Sequence, residues 1–332
     1  MPIASSTRRL STLEILIGYA VRAPSAHNAQ PWRFVTDGAS RILVFADRAR
    51  QLPVGDADGR ELIVSCGAAL ENLTVAARAF GFEPQVRLRP DPQSRDLLAA
   101  VTVVPGDWPT DGEGLLFDAI ERRHTTREHF APLSIDAWLV QELMAAAASR
   151  GARLIPLQGR SARALLKALV QEGDRRLFAN PVWRRELASW IRTPRTGGDD
   201  IAVPHLPAFL ARTAIRATDV GVRASVSDGL FVERAPLIAV LATLDDGVDA
   251  WLAAGRALER VLLSAACEGV QAGFLDQPCQ LPDLRAQLSA IIGGDHPQVV
   301  LRFGHPACVL RVTPRREVDA VADTAWAQGV PC

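Results

Sequence analysis

The spacing of apolar residues predicts two helices and four strands in the first 110 residues. One helix begins at Ser11 or Thr12 and ends near Arg22, and a longer helix runs from Glu61 to Phe80. The longer helix is apolar on nearly every face, so we expect it to be buried in the middle of the fold. The predicted strands are a segment that begins near 32, then 41–46, 85–88 and about 98–104.

The same order of elements begins again after residue 110. Apolar spacing predicts helices at 114–123, 134–149 and 251–269 and strands at 236–241 and 298–303. The two long helices also match in sequence, because Ala69–Gly81 and Ala257–Gly269 share Ala-Leu-Glu, an apolar fifth residue and a terminal glycine. We therefore predict two fused repeats, 1–110 and 111–332, although two unrelated buried helices would also account for the match.

The second repeat carries an insertion of about 60 residues, from Leu177 to about Arg234. This insertion is rich in tryptophan, arginine and proline, and helical pieces are predicted near 182–191 and 207–217. Aromatic and basic residues in a long insertion between core elements are typical of a lid or a packing arm. A solvated excursion with no further role is the alternative.

Composition places no net charge on the chain. The 332 residues contain 37 basic and 37 acidic side chains, and 48% are hydrophobic. This balance gives no electrostatic reason to expect a nucleic-acid or membrane partner. The five cysteines form no CxxC pair and no cluster at zinc spacing, so we expect no metal site and a reducing, cytoplasmic location. No signal peptide or membrane span is predicted.

A short turn after the first helix carries the densest set of candidate ligand contacts. It reads Pro-Ser-Ala-His-Asn-Ala-Gln-Pro-Trp from Pro24 to Trp32. The prolines fix the backbone at both ends, and the small residues let that backbone approach a ligand closely. The amides of Asn28 and Gln30 offer donors and acceptors to a flat ligand with polar edges. A tight helix-to-strand connection anchored by Trp32 is the alternative.

A second candidate site follows the first helix of the second repeat. Arg122, Arg123 and Arg127 lie within six residues of one another, together with Thr125 and Thr126. Arginine forks bind phosphate bidentately, and threonine hydroxyls can hydrogen-bond its remaining oxygens. A basic helix C-terminus is the alternative, and it accounts well for Arg122 and Arg123 but poorly for the residues that follow.

Both segments resemble motifs of the nitroreductase superfamily, whose members bind FMN. The turn at 24–32 resembles that family's flavin-contacting turn. The segment at 123–130 is similar to its Arg-x-Ser/Thr-x-Arg/Lys-x-Phe motif, which holds the FMN phosphate and ribityl chain, with one extra residue before Phe130. Two further stretches, 65–73 and 302–316, resemble the family's central helix and its C-terminal segment, where a basic residue closes on the phosphate.

The resemblance implies an α+β, nitroreductase-like fold in which each repeat has a mainly antiparallel sheet flanked by helices. It also implies that the repeats correspond to the two subunits of an ordinary nitroreductase dimer. The counterpart of the arginine segment at 5–10 is degenerate, and the counterpart of the turn near 150–154 lacks its motif, so one composite site remains. This pattern resembles the Acg-like branch, in which a single chain holds one FMN under a lid, here 177–234. One chain then suffices for the site, and further dimerisation stays open.

The cofactor-binding residues that the resemblance implies come from both repeats and from the C-terminal segment. They are Pro24, Ser25, Ala26, Asn28, Gln30, Arg122, Arg123, Thr125, Arg127, Gln277, Arg315 and Arg316. Gln277 belongs to a segment that resembles the branch's flavin face, and either Arg315 or Arg316 would meet the phosphate. His27 is a candidate for contact with substrate or for protonation of a product, and His205 on the insertion is another.

Three functions remain open from the sequence. The first is an FMN-dependent oxidoreductase that takes hydride from NADH or NADPH and reduces a conjugated, aromatic, nitro or quinone acceptor, or oxidises a specialised small molecule. The second is a protein that sequesters FMN under its lid without turnover. The third is a packing or partner-binding module with a dead site. The insertion separates the first two, because Trp183 or Trp190 seated over the flavin would block a stacked nicotinamide.

Overall fold

The computed structural model describes residues 11–191, 208–217, 220–308 and 313–323. The degenerate segment at 5–10, the proline- and glycine-containing stretch at 194–207 and His205 therefore lie outside the described residues. Helices and antiparallel sheets occur in both halves of the chain, and the predicted α+β fold class is confirmed.

Eleven α-helices and nine strands occur within the described ranges. The helices are α1 Thr12–Ala20, α2 Arg60–Ala79, α3 Asp111–Arg122, α4 Ala137–Ala148, α5 Arg160–Ala179, α6 Pro181–Ser189, α7 Ala208–Ala217, α8 Gly221–Arg234, α9 Val248–Cys267, α10 Gln277–Gln280 and α11 Pro282–Ile291. The strands are β1 Trp32–Thr36, β2 Arg41–Ala46, β3 Phe82–Leu88, β4 Leu97–Pro105, β5 Arg153–Pro156, β6 Leu237–Thr243, β7 Gln271–Phe274, β8 His296–Gly304 and β9 Ala322–Asp323.

Local sequence signals fix the start of the helix that leads into the turn. The hydroxyl of Ser11 accepts a hydrogen bond from the backbone N–H of Glu14, and the Glu14 carboxylate accepts one from the backbone N–H of Ser11 at 2.7 Å. This reciprocal pair is a capping box, and it confirms the predicted start of α1. The predicted start of α4 at residue 134 is wrong, because α4 begins after Asp136.

The two sheets repeat the same strand order. The first sheet runs β3-β4-β2-β1, with β9 added at its edge, and the second runs β7-β8-β6-β5. Every pairing within these two sets of four strands is antiparallel, and β9 pairs in parallel with β1. A register shift occurs between Val44 and Phe45 in the first sheet and between Leu241 and Ala242 in the second, each in the second strand of its repeat. The repeat is thus visible in topology as well as in sequence.

The long helices α2 and α9 pack against each other at the centre of the molecule. Both have 20 residues, and Gly67 of α2 meets Gly255 of α9 where the helices cross. A Cβ added to Gly67 would overlap the carbonyl oxygen of Leu252, and one added to Gly255 would overlap that of Val64. Gly255 and Leu252 are the matching positions of Gly67 and Val64 in the sequence repeat. These reciprocal contacts are those of a two-fold interface.

The hydrophobic core lies on both sides of this helix pair. One cluster fills the space between α2 and the first sheet, a second lies between α9, α4 and the second sheet, and a third covers the other face of the second sheet. Helix α2 is long and apolar enough to cross a membrane, but 89% of its most apolar 18-residue window is buried inside the protein. Its packing is that of a core helix.

The insertion lies between β5 and β6 and begins earlier than the sequence predicted. Helix α5 is continuous from Arg160, so the excursion runs from there to Arg234 instead of starting at Leu177. Helices α6 and α7 occupy the two predicted helical stretches. Helix α5 packs along α8, and both helices cover the face of the second sheet that points away from α9.

Candidate functional site

The turn between α1 and β1 holds a strained backbone. His27, Asn28 and Gln30 have positive φ angles of 51°, 55° and 51°. Left-handed conformations at three non-glycine residues out of four are costly and persist only where surrounding contacts impose them. One such contact is local, since the hydroxyl of Ser25 accepts a hydrogen bond from the backbone N–H of Gln30 at 2.9 Å. The other predicted residues of the turn are buried or partly buried: Pro24 and Ala26.

The amides of the turn fasten it to the C-terminal segment. Asn28 Nδ2 donates to the carbonyl oxygen of Pro314 at 3.2 Å, and Gln30 Oε1 accepts from the backbone N–H of Arg316 at 2.9 Å. Gln30 is completely buried. Because Arg315 lies between these two anchored residues, the amides position Arg315.

Arg315 lies at the junction of the two repeats. Its guanidinium donates to the carbonyl oxygen of Arg22 at 3.2 Å, and burial together with Arg123 lowers its pKa to about 9. Within the described residues, no carboxylate lies at ion-pair distance from Arg315, and its buried Nε has no hydrogen-bond partner. A buried cation of this kind is suited to bind an anion. The guanidinium of Arg316 instead donates to the carbonyl oxygen of Ala320.

Arg123 occupies the same junction but already has a counter-ion. Its Nη2 donates to the carbonyl oxygen of Arg22 at 3.0 Å, and its Nε lies 3.4 Å from Oε1 of Glu259 in α9. Both side chains are buried. Burial raises the pKa of Glu259 to about 7, and Arg123 opposes that rise. The neighbouring Arg122 is exposed at the end of α3.

Arg127 and His27 bring the arginine segment and the turn together. The Arg127 side chain is open to water, yet the surrounding protein lowers its pKa by desolvation. His27 lies close enough that Arg127 adds to the effect of burial, and the two causes lower the pKa of His27 to about 4. The buried Nε2 of His27 has no hydrogen-bond partner in the part of the chain that the structure describes.

Arg302 and Thr126, which are not among the cofactor-binding residues that the resemblance implies, shape the arginine segment. Arg302 of β8 donates to the carbonyl oxygens of Thr126 and Glu128, at 2.7 and 2.9 Å, and packs on the rings of Phe130 and Phe231. Arg302 therefore fixes the backbone on both sides of Arg127. The hydroxyl of Thr126 is buried without a hydrogen-bond partner among the described residues. The available sequence signal was an arginine inside an otherwise apolar strand, which needs polar partners.

Thr125 and Gln277, two of the predicted cofactor-binding residues, make their observed contacts away from the turn at 24–32. Thr125 is exposed and pairs with Ala272 in an isolated bridge. Gln277 Nε2 donates to Asp174 of α5 at 3.0 Å and to Asp228 of α8 at 2.5 Å. This amide therefore ties α10 to the insertion.

The insertion docks beside the turn. Glu186 of α6 accepts hydrogen bonds from the two backbone N–H groups of 54–55, both at 2.8 Å. The guanidinium of Arg50 lies over the ring of Trp190, 5.4 Å from its centroid, and Arg50 Nε donates to the carbonyl oxygen of Ala29. A chain of contacts thus leads from the insertion to the turn.

Arg127, Arg315 and Thr126 carry donor groups of the kinds that bind phosphate. Desolvation lowers the pKa of Arg127 and of Arg315, and the buried hydroxyl of Thr126 has no hydrogen-bond partner among the described residues. A bound anion would raise both arginine pKa values. In the described ranges, no group of three or more metal-ligating side chains occurs.

Comparison with known proteins identifies relatives of this chain, although no family model matches it. It is similar to Rv3131 of Mycobacterium tuberculosis, with 33% identity over 324 residues that cover 94% of this chain and 91% of that protein. It is also similar to Acg of the same organism, with 30% identity over 311 residues that cover 91% of this chain and 92% of Acg. Both relatives are provisionally named as NAD(P)H nitroreductases.

Solved structures give weaker likenesses. The FMN- and NADPH-dependent nitroreductase NfnB from a Sphigopyxis strain matches with a TM-score of 0.42 and 19% identity, over 65% of this chain and 99% of that chain. At such a score the likeness bears on neither ligand nor activity. Identity over nearly the full length of Rv3131 and Acg is sufficient by itself: the chain belongs to the nitroreductase family, in the branch of these two proteins.

Proposed function

We propose that this chain binds one FMN at the junction of its two repeats and acts as an FMN-dependent oxidoreductase. The binding groups come from the turn at 24–30, the arginine segment at 123–127 and Arg315. The main support is that Arg123 of the arginine segment and Arg315 both donate to the carbonyl oxygen of Arg22, two residues before the turn, at 3.0 and 3.2 Å, so segments that are remote in sequence meet there. The names of the mycobacterial relatives favour a reduced nicotinamide as the hydride donor.

Arg127 and Arg315 are the residues that would hold the FMN phosphate, with the Thr126 hydroxyl as a further donor. A charge-assisted hydrogen bond to phosphate contributes roughly 1.5–3 kcal/mol. Arg123 acts one layer deeper in this proposal. By pairing with Glu259, it offsets a buried carboxylate that would otherwise repel the phosphate.

Bound FMN would supply the redox chemistry, by accepting hydride and passing electrons to a conjugated or aromatic acceptor. The chain itself binds, orients and controls access. His27 has a pKa of about 4, so its imidazole is neutral at pH 7. A neutral imidazole with a buried Nε2 is suited to a hydrogen bond with ligand, but its low pKa makes it a poor reservoir of protons. We therefore propose a contact role for His27 in place of product protonation.

Sequestration of FMN without turnover is the second candidate function. It is favoured by the docking of α6, whose Glu186 and Trp190 reach the loop at 54–55 and Arg50 beside the turn. Hydrogen bonds and a stacked guanidinium hold this part of the insertion in place. A cover fastened in this way would hinder the approach of a nicotinamide to the flavin.

Anaerobic reduction separates the two functions. Purified FMN-containing protein is mixed with NADPH without oxygen, and the flavin absorbance is followed, with dithionite as a small-molecule reductant for comparison. Bleaching by NADPH supports the oxidoreductase. A flavin that dithionite bleaches and NADPH does not supports sequestration. Protein that holds no flavin and cannot be reconstituted with FMN contradicts both functions.

A variant of α6 tests whether the insertion covers the flavin. Glu186→Gln removes the charge that accepts the two hydrogen bonds from 54–55, whereas Arg185, its exposed neighbour on the same helix, provides the matched control Arg185→Gln. If α6 limits access, Glu186→Gln accelerates reduction by NADPH and Arg185→Gln leaves the rate unchanged. Identical rates in both variants would argue against a cover at this position.

A further inference from the structure

A second group of arginines surrounds Glu71, the residue of the first repeat that corresponds to Glu259. Glu71 of α2 is the residue that matches Glu259 of α9 in the sequence repeat. Glu259 has one arginine at ion-pair distance among the described residues, whereas Glu71 has three. These three side chains define what we call the arginine triad: Arg150, Arg256 and Arg260.

The triad converges on a single carboxylate. Nη2 of Arg150 and Nη2 of Arg260 lie 2.8 and 2.7 Å from Oε1 of Glu71, and Nε of Arg256 lies 3.3 Å from Oε2. Glu71 has no exposed surface, but the three arginine side chains keep 22%, 19% and 17% of theirs. Three positive charges thus meet one negative charge, and the excess lies at the edge that water and solutes reach.

The triad also retains unused donors at that edge. Nη1 and Nη2 of Arg256 and Nη1 of Arg260 make no hydrogen bond to any described residue. Desolvation lowers the pKa of Arg256, Glu71 opposes this shift, and the nearby charges of Arg150 and Arg260 add to it, so that the pKa stays below its ordinary value. The three cations therefore repel one another, and one carboxylate does not compensate them.

We propose that the arginine triad binds a dianionic oxyanion, either inorganic phosphate or a phosphate monoester. A dianion matches the two positive charges that Glu71 leaves uncompensated. The planar donor edges of arginine match phosphate oxygens in pairs, and partial burial keeps the interaction from being fully screened. Its three arginines are not those of the proposed flavin site, because they surround the other of the two matching glutamates.

Calorimetric titration of the FMN-loaded chain tests this site, since FMN already fills the flavin site. Inorganic phosphate is titrated into protein in a chloride buffer of constant ionic strength, and methyl phosphate is titrated in parallel. Arg256→Gln removes one unpaired donor edge. Arg153→Gln is the matched control, because Arg153 is an exposed arginine of the same repeat that pairs with Asp295.

The expected result is one saturable phosphate per chain, weakened on the order of tenfold or more by Arg256→Gln and unchanged by Arg153→Gln. Tighter binding of methyl phosphate would identify a monoester as the ligand, and tighter binding of inorganic phosphate would identify the free anion. Absence of saturable binding, or equal affinity in Arg256→Gln, overturns the site. So does phosphate uptake that occurs only as FMN is released.

Two further measurements keep the test decisive. If Arg256→Gln does not fold, Arg256→Lys keeps the charge and loses the planar fork, and a clear loss of affinity is still expected. If the purified chain binds no FMN, the flavin-free protein is titrated, and Arg256→Gln must reduce the number of bound phosphates by one. The proposed anion site of the arginine triad is thus tested independently of the proposed flavin site.

Discussion

Replacing Arg315 by glutamine is expected to weaken FMN binding without destabilising the flavin-free protein. Burial and Arg123 lower the pKa of Arg315 to about 9 from its ordinary value of 12.5. One pKa unit corresponds to about 1.4 kcal/mol, so the charged guanidinium costs the flavin-free protein up to a few kcal/mol. Glutamine removes that cost. The guanidinium's hydrogen bonds to three carbonyl oxygens are lost as well, at about 0.5–1.5 kcal/mol each, so the two changes nearly cancel or favour the variant.

In the proposed complex with FMN, the phosphate would compensate the charge of Arg315, so we expect Arg315→Gln to bind FMN more weakly. A charge-assisted hydrogen bond of roughly 1.5–3 kcal/mol corresponds to a loss of about 10- to 150-fold in affinity. Quenching of FMN fluorescence measures the dissociation constant, and thermal unfolding of the flavin-free protein measures its stability. Arg316→Gln is the control, because that guanidinium contacts the carbonyl oxygen of Ala320. Wild-type affinity in Arg315→Gln, or an equal loss in Arg316→Gln, would refute the assignment of Arg315 to the phosphate.

Three further changes test the electrostatics and the scaffold. The flavin-free protein should lose stability between about pH 6.5 and pH 4, because His27 takes up a proton there in the unfolded chain but not in the folded one, where its pKa is about 4. His27→Gln should reduce this loss. Urea unfolding measures the free energy of unfolding across this range, and the same dependence on pH in the variant and the wild type would contradict the prediction. Asp174→Asn should stabilise the protein above pH 7 and not near pH 4, since burial raises the pKa of folded Asp174 to about 7 and the charged form is the costly one; the same unfolding curves measure it. Gly67→Ala should destabilise by at least about 1–3 kcal/mol through overlap with the backbone of α9, whereas Gly18→Ala, whose added Cβ would meet only Val318 at 3.8 Å, should stabilise by roughly 0.5–1 kcal/mol in thermal unfolding.

The fold was accessible from sequence because its core elements have strong apolar patterns. Helices α2 and α9 are nearly continuous apolar segments, and the strand β6 is buried along its whole length. The insertion was harder to delimit. Its first helix, α5, buries only one side, and its charged residues hide the spacing of Leu166, Leu169 and Val170 that marks its buried face.

The sequence predicted which segments form the candidate site, but not which atoms make its contacts. The motifs identified the turn and the arginine segment, but Asn28 and Gln30 use their amides to hold the C-terminal segment. No local pattern can reveal a hydrogen bond between residues so far apart in sequence. The choice between Arg315 and Arg316 has the same origin, since neighbouring arginines diverge only when the chain around them is folded.

The surroundings of the two matching glutamates differ, although the two repeats share one scaffold. The strand order, the paired long helices and the glycine crossing are shared by both repeats, so the backbone does not distinguish the sites. The side chains do. Glu259 pairs with Arg123 and leaves Arg315 without a counter-ion in the described residues, whereas three arginines converge on Glu71. In the proposals made above, the phosphate of FMN would be held on the side of Arg315, and a second anion would be held by the arginines around Glu71. If both proposals hold, differences in a few side chains around α2 and α9 separate a flavin site from an anion site.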